Sequence, residues 1–282
     1  MFSETLWDHE VDVLCIGAEG GVLAAGIVAA RADLDVYLGI SQRTVAGDLG
    51  ASVGYAGGDR PTTRHIVGFE YAFGQVDRAR TLWPLRAVDD IAPPRSHHPG
   101  TIEPFFGAQL EPWARRCASA SDTVIYDRVG KRQMTEIRTS TRGEKVEAAV
   151  IGSVPLSPEL PALSVMTWLK DQAAQADLRP HHGVRLVRLI FEDGLVGALI
   201  DTEDGQQAVR ARENLIIGVG DPISERTQPL VSASQPVTAH VCLVSKAASR
   251  FGELEIITAA GDDNRLLFVD APETELQLAS GL

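Results

Sequence analysis

The chain has 282 residues, 44% of them hydrophobic, with a mean hydropathy of −0.01 and a net charge of −12 at pH 7. A chain of this length and composition can bury a large core and is expected to be globular. The acidic balance excludes nucleic acid and anionic membrane surfaces as expected partners, because such partners require clustered Lys and Arg.

The cysteines and the N-terminus bear on the compartment. Cys15, Cys117 and Cys242 lie far apart and form no CxxC pair, so we expect reduced thiols. No basic segment precedes the first apolar run, and no stretch of about 20 apolar residues occurs anywhere. We therefore expect a cytoplasmic protein that is neither secreted nor inserted in a membrane.

The chain begins with the pattern of a βαβ unit. An apolar run at residues 11–16 predicts a strand, an Ala- and Gly-rich segment at 20–32 predicts a helix, and residues 35–40 predict a second strand. This order of elements is typical of the entry unit of a dinucleotide-binding fold.

The glycine turn between the first strand and the helix departs from the usual fingerprint. In G-x-G-x-x-G the glycines permit the tight turn, the approach of the diphosphate and close helix packing; here those positions are Gly17, Glu19 and Val22. A carboxylate at the second position brings negative charge toward a diphosphate, and a helix N-terminus offsets only about half a charge. Ile40 stands where an acidic residue usually holds the ribose. We therefore expect a weakened grip on a dinucleotide.

The middle of the chain is less regular. A loop at residues 44–58 is dense in Gly, Ala and Ser; it either passes close to something flat or is a surface turn, and both interpretations stay open. Residues 76–154 show no long clean period and predict an inserted subdomain or lid, with a helix near 102–120.

The α/β pattern then resumes and ends in β-like runs. The predicted elements are a helix, a hairpin, a long strand and three short strands, at 164–176, 184–191 with 195–201, 208–219, 238–244, 254–258 and 265–270. We predict an α/β, Rossmann-like FAD/NAD(P)-binding fold. Its main domain would comprise 1–75 and 155–235, with 76–154 inserted and 236–282 forming a small C-terminal β-rich segment.

Three stretches carry a resemblance to a known family: residues 12–25, the loop at 47–58, and 183–220. They resemble the flavoprotein family of fumarate reductases, succinate dehydrogenases and 3-ketosteroid dehydrogenases. The resemblance implies FAD as cofactor, a glycine-rich loop along the flavin, and a later turn that closes the FAD site. The counterpart of that turn here is Gly218, Val219 and Gly220.

The sequence also departs from this family. Glu19, Val22 and Ile40 replace residues that the family uses on FAD, and nothing after Pro236 resembles the family's C-terminal FAD segment. The family's His-Pro-Thr motif, its acid arginine and its steroid-dehydrogenase tyrosine pair are not found. We therefore expect a truncated, degenerate member that serves as a non-catalytic or accessory subunit beside a partner chain, in a hetero- or homo-oligomer.

Two alternatives remain open. The chain is an active FAD-dependent oxidoreductase acting on an apolar substrate such as a 3-ketosteroid or an acyl compound, with the hydride chemistry carried by the flavin. Alternatively, two related chains form a composite site to which this chain contributes only a wall.

Any nucleotide pocket is predicted to be lined by the two glycine turns, the glycine-rich loop and the end of the second strand. The candidate cofactor-binding residues are Gly17, Ala18, Glu19, Gly20, Gly21, Ser41, Gly57, Gly58, Gly218 and Gly220. No catalytic residue and no metal site are assigned.

Other reactive side chains have structural interpretations. The pairs His97–His98 and His181–His182 are expected in exposed turns, because neighbours in an extended segment point in opposite directions. Ser52 and Ser153 lack a nucleophile elbow. The acidic pairs at 89–90 and 262–263 are expected to be solvated turns. Cys15 is expected in the strand core, where burial raises its pKa.

Overall fold

The fold is dominated by one mixed β-sheet with a small number of helices. A computed structural model describes residues 6–41, 49–73, 85–88, 111–118, 120, 122–129, 135–138, 145–156, 162–220 and 237–259. Within these residues the sheet has 11 strands. The fold is thus richer in strand than the predicted α/β class implies, and the Rossmann-like FAD/NAD(P)-binding form stays a prediction.

The elements follow one another along the chain with β1, α1 and β2 first. The helices are α1 (Glu19–Ala30), α2 (Leu49–Ser52), α3 (Arg60–Phe73), α4 (Glu111–Ala118) and α5 (Ala162–Gln175). The strands are β1 (His9–Gly17), β2 (Val36–Ser41), β3 (Leu85–Val88), β4 (Asp122–Tyr126), β5 (Thr135–Arg138), β6 (Lys145–Leu156), β7 (His181–Glu192), β8 (Gly194–Thr202), β9 (Gly205–Gly220), β10 (Val237–Ser245) and β11 (Phe251–Ala259).

The predicted βαβ unit is confirmed. Strand β1 pairs in parallel with β2 and also with β9, so that Gly17 lies opposite Ile40 on one side and opposite Gly218 on the other. Helix α1 connects β1 to β2 and contacts both of them as well as β9. The observed ends differ from the predicted ones by one or two residues, and β2 extends to Ser41.

Five strands close on themselves around β1. Strand β7 begins in parallel with β2 and continues into an antiparallel hairpin with β8, and β8 pairs with the first part of β9. Because β9 then pairs with β1, the path β1-β2-β7-β8-β9 returns to its start. The predicted hairpin is confirmed, and His181 and His182 are exposed at the start of β7 rather than in a turn.

The remaining strands extend the same sheet beyond β9. Strand β4 pairs antiparallel with the end of β9, and β11, β10, β6 and β5 follow in that order, with β3 beside β11. Strands from the segment predicted as an insertion, 76–154, and from the C-terminal segment, 236–282, therefore share hydrogen bonds in one sheet. The division into domains stays a prediction.

Some predicted elements differ from the observed ones or lie outside the described residues. Helix α2 occupies Leu49–Ser52 within the predicted glycine-rich loop. Helix α3 was not predicted at all. Of the helix predicted near 102–120, α4 accounts for Glu111–Ala118. The strand predicted at 265–270 lies outside the described residues.

The sheet separates two hydrophobic clusters. One, called here the α1 face, packs Leu23 and Ile27 of α1 and Leu169 of α5 against the sheet. The other, called here the α3 face, packs Phe69 of α3 and Trp113 of α4 against the opposite side. Alternate side chains of β1, β2, β4, β6, β9, β10 and β11 supply the two clusters, as the pleat of a strand requires.

The three cysteines are free, as predicted, and all three are buried, whereas the sequence placed only Cys15 in the core. Burial raises the pKa of the Cys15 thiol well above its usual range, and burial followed by the charge of Glu255 raises that of Cys242 to about 12. No helix in the described part of the chain is both long and apolar enough to span a membrane.

Candidate functional site

Gly17 ends β1 in a conformation that favours glycine. Its φ is +122°, and a Cβ at this position would lie 3.1 Å from the amide nitrogen of Gly218 and overlap the Gly218 carbonyl oxygen. The next amide, that of Ala18, donates to the same carbonyl oxygen at 2.8 Å. The turn therefore joins the ends of β1 and β9 at the point where α1 begins.

The N-cap residue of α1 supplies no capping side chain. Ala18 is the N-cap residue, with an extended backbone and no side-chain hydrogen bond to the helix. The first amides of a helix have no acceptor within the helix, and the helix dipole places partial positive charge beside them. A helix start of this kind, at the carboxyl ends of parallel strands, can receive an anion.

Small residues bring α1 directly against two strands. A Cβ on Gly21 would lie 2.9 Å from the carbonyl oxygen of Thr123 in β4, and one on Gly218 would lie 2.7 Å from the carbonyl oxygen of Ala18. Both glycines are buried. Close packing of the helix on the sheet thus accounts for these two glycines without any ligand.

Glu19 does not present an unpaired charge at this turn. Its carboxylate lies 3.1 Å from the ammonium nitrogen of Lys170 in α5, and the two side chains are 31% and 54% exposed. The negative charge that the sequence predicted to face a diphosphate is therefore directed to a lysine of the neighbouring helix.

The end of β2 holds an unpartnered hydroxyl. Ser41 follows Ile40, and both residues are buried. The Ser41 Oγ atom is itself buried and has no hydrogen-bond partner within the part of the chain that the structure describes. Such an oxygen is rare in folded proteins because its lost hydration is not replaced, and a bound ligand is one of the ways in which it is satisfied.

A residue that the sequence did not indicate, Asp122, lies beside the first turn of α1. It begins β4 opposite Gly220 and is 3% exposed. A Cβ on Gly20 would lie 2.6 Å from the Asp122 carboxyl carbon, so Gly20 leaves the space that this side chain fills. No local pattern predicts the contact, because about 100 residues of chain separate the two positions.

The structure gathers most of the candidate residues into one group, called here the α1 turn: residues 17–21 with Gly218 and Gly220, and Ser41 close by at the end of β2. Gly57 and Gly58 are different. They are exposed in the connection between α2 and α3, with φ values of +90° and +104° and nothing within 4 Å of either Cβ position. This is the geometry of a surface turn.

The other reactive side chains do not form a recognisable centre. Ser153 Oγ lies 3.0 Å from His240 Nδ1 across β6 and β10, and Ser153 is exposed. Ser52 is buried in α2. The described ranges contain no group of three metal-ligating side chains. The pair His97–His98 and the acidic pairs at 89–90 and 262–263 lie outside those ranges.

Comparisons with known proteins give weak likenesses. No protein-family profile and no curated protein matches the sequence. One similar solved structure is a geranylgeranyl bacteriochlorophyll reductase-like protein from Thermoplasma acidophilum, with 16% identity over 72% of this chain and 38% of that protein, at a TM-score of 0.29. Another is a 3-ketosteroid dehydrogenase from Rhodococcus jostii RHA1 in complex with 4-androstene-3,17-dione, with 20% identity over 76% of this chain and 46% of that protein, at a TM-score of 0.31.

A third is a flavocytochrome c3 fumarate reductase, with 13% identity over 73% of this chain and 33% of that protein, at a TM-score of 0.28. The chain therefore spans less than half the length of each of these proteins. At such TM-scores the likenesses carry no argument about function, which has to be argued from the geometry of the α1 turn.

Proposed function

We propose that this chain is a flavoprotein-like protein that binds the diphosphate of FAD at the α1 turn. The observation that carries the proposal is the start of α1, where the N-cap residue Ala18 supplies no capping side chain and Gly17 and Gly218 hold the turn at the carboxyl ends of two parallel strands. The first turn of such a helix supplies amide donors and a positive dipole end to a phosphate.

The residues at the turn fit a diphosphate. Glu19 and Gly20, in the first turn of the helix, would offer their amides. The ion pair between Glu19 and Lys170 removes the main electrostatic objection, since that carboxylate is already paired.

The residues at the end of β2, which would face the ribose, differ from the usual acidic residue. Ile40 supplies no acceptor, and the neighbouring Ser41 hydroxyl is the polar group at the end of β2 that is buried without a partner. In the proposed complex, Ser41 bonds a ribose hydroxyl in place of the usual carboxylate. One neutral hydrogen bond replaces a charge-assisted one, so we expect a weaker grip than an acidic residue provides.

The proposed biochemical class is oxidoreductase. FAD, when bound, would supply hydride transfer, and the protein would supply binding and orientation. The sequence resemblance supports an apolar substrate, such as a 3-ketosteroid or an acyl compound. A partner chain that completes the site is part of the same proposal, and catalytic residues are not assigned to this chain.

Asp122 favours a second candidate function, a cofactor-free scaffold that acts as an accessory subunit. Its buried carboxylate packs on Gly20 at the helix start, where a diphosphate would bring further negative charge. Like charges at close range in a poorly solvated site repel strongly. In this case the α1 turn keeps its shape for packing alone.

The test is the flavin content of the natively purified protein, followed by titration of the apoprotein with FAD. About one releasable FAD per chain, or saturable binding of added FAD, supports the first candidate. Ser41→Ala should then weaken FAD binding by about tenfold, the loss of roughly one hydrogen bond. Ser153→Ala is the matched control, because Ser153 lies on β6 and should leave binding unchanged.

The Asp122→Asn variant separates the two candidates when the wild type is colourless. FAD binding that appears only in Asp122→Asn would show that the charge alone prevents it, and the scaffold candidate would stand for the wild type. A colourless wild type together with a variant that also refuses FAD would rule out the diphosphate site.

A further inference from the structure

A cleft lies on the α3 face, away from the α1 turn. It has a volume of about 640 Å³ and is lined by Arg60, Arg64, His65 and Phe69 of α3, by Phe191 at the end of β7, and by Arg250 before β11. This volume falls within the range of about 300–1,000 Å³ that small-molecule sites occupy. Nothing in the proposed function uses it.

Hydrogen bonds fix α3 as one wall of the cleft. The Asp59 carboxylate accepts from the Thr62 amide at 2.9 Å, which caps the start of the helix. The Thr62 hydroxyl oxygen in turn accepts from the Leu189 amide of β7 at 2.7 Å. The arginines and the phenyl rings on the two sides of the cleft therefore stand on elements that are tied together.

The charge of the cleft is positive. Arg60 and Arg64 are exposed and one helical turn apart, and no acidic side chain of the described residues lies within ion-pair distance of either. Asp127, at the inner end, is 3.1 Å from an Arg250 nitrogen and 3.7 Å from an Arg128 nitrogen. Its charge is already balanced, so Arg60 and Arg64 remain to attract an anion.

The cleft also has an aromatic lining. The His65 ring meets the ring of Phe69 edge-on at 4.9 Å between centroids and that of Phe191 at 5.5 Å. The Arg250 guanidinium lies 4.5 Å from the Phe69 ring centre. Phe191 is 38% exposed, which is high for a phenylalanine. A planar ring of a ligand could cover this surface and gain edge-to-face contacts.

His65 brings an unpartnered polar atom to this lining. Its Nε2 atom is buried without a hydrogen-bond partner and lies 3.8 Å from an Asp127 carboxylate oxygen, beyond hydrogen-bond range. Burial, followed by the charge of Arg250, lowers the pKa of His65 to about 4. The ring is therefore neutral at physiological pH, and Nε2 can donate to or accept from a ligand according to its tautomer.

We propose that this cleft binds a small aromatic carboxylate. The carboxylate pairs with the guanidinium groups of Arg60 and Arg64, whose planar donors match it, and the ring lies against the exposed ring of Phe191. The proposal does not depend on flavin binding.

Calorimetric titration of the full chain with 2-naphthoate tests the proposal. We expect saturable binding of one molecule per chain, with 2-naphthylmethanol, the uncharged analogue, at least about tenfold weaker. Absence of saturable naphthoate binding would overturn the proposal. Equal or tighter binding of the alcohol would overturn the assignment of an anion, and tighter binding of 2-naphthyl phosphate would overturn the assignment of a carboxylate.

Two variants locate the ligand. The double variant Arg60→Ala with Arg64→Ala should weaken naphthoate binding at least about tenfold. Arg179→Ala is the matched control, because Arg179 is an arginine that is 90% exposed and does not line the cleft. Equal loss in the control would show nonspecific attraction and contradict the site.

Gly68→Phe fills the cleft without changing its charge. Gly68 lines the cleft, and a Cβ there would meet nothing within 4 Å, so the new side chain has room and the helix should tolerate it. We expect naphthoate binding to be lost while the melting temperature stays at or above that of the wild type. Unchanged binding in this folded variant would place the ligand elsewhere.

Discussion

The two faces of the sheet are stabilised by different means. On the α1 face, buried glycines let a helix lie directly on β9 and β4, and among the described residues Asp122 is the one buried carboxylate of that face. On the α3 face, Glu253 and Glu255 are both buried and share the guanidinium of Arg116, at 2.6 Å and 2.8 Å.

The difference decides which substitutions matter on each face. Close packing fails when an atom is added, because the neighbouring backbone cannot move away. A buried ionic group fails when a charge is removed or its balance changes, because the remaining charge has lost its compensation. We therefore expect added methyl groups to lower stability on the α1 face and changes of charge to lower it on the α3 face.

The largest effect is expected on the α1 face. Gly17→Ala should lower the free energy of unfolding by about 4 kcal/mol, since the new Cβ would overlap the Gly218 carbonyl at a strained φ. Urea unfolding followed by circular dichroism measures it. Gly57→Ala is the control, because it has a positive φ but open space, and a loss of about 1 kcal/mol is expected there. Equal losses would contradict the close-packing account.

A somewhat smaller loss is expected when charge is removed from the α3 face. Arg116→Met should cost about 3 kcal/mol at neutral pH, because the buried pair of Glu253 and Glu255, which still carries negative charge there, loses its shared cation. Adding Glu253→Gln and Glu255→Gln to the same chain should recover most of the loss. Arg115→Met, one residue away and exposed, should change little. A loss in the triple variant as large as in Arg116→Met would show that packing, not charge, is at stake.

The α3 face should also respond to pH. Burial, followed by the charge of Glu255, raises the pKa of Glu253 from 4.5 to about 8. The folded chain then holds a proton that the unfolded chain releases, so stability falls as pH rises between these two values, by at most about 1.4 kcal/mol per pH unit for one proton. Unfolding curves across this window should be flatter for Glu253→Gln than for the wild type. An identical slope in both would contradict the assignment.

The smallest effect on stability is expected at the end of β2. Ser41→Ala should raise the stability of the cofactor-free protein by about 1 kcal/mol, because it removes a buried hydroxyl that has no partner. The same thermal or urea measurements apply. A clear loss of stability would mean that the Ser41 hydroxyl already has a hydrogen-bond partner in the cofactor-free protein and is not available to a ligand.

Local patterns predicted the first βαβ unit, the hairpin of β7 and β8, and helix α5, because their hydrophobic periodicity is written within a few residues. Helix α3 was missed although its start signal is present: Asp59 precedes Pro61 and caps the helix through Thr62. The predicted glycine-rich loop at residues 44–58 ends directly before this start signal.

The sequence predicted the candidate site where local motifs supply it, and it missed the contact made by Asp122. Residues 17–21 and Gly218 lie together as the motif suggests, whereas the contact of Asp122 with Gly20 depends on strands far apart in sequence. The carboxylates on β11 had a signal that could have been used. Glu253 and Glu255 alternate in phase with Phe251 and Ile257, which places acidic side chains at core positions of a strand.

Strand β9 links the two parts of the sheet mechanically. Its early residues pair with β8 and its last residues with β4, both on one edge, while β1 occupies the other edge along most of its length. Peeling away either neighbour leaves β9 held by the other, so the closed five-strand path and the extension beyond it cannot separate without breaking this strand. The amides of Leu215 to Gly218, which lie where β1 and β4 flank β9, should be the last in the sheet to exchange with solvent deuterium.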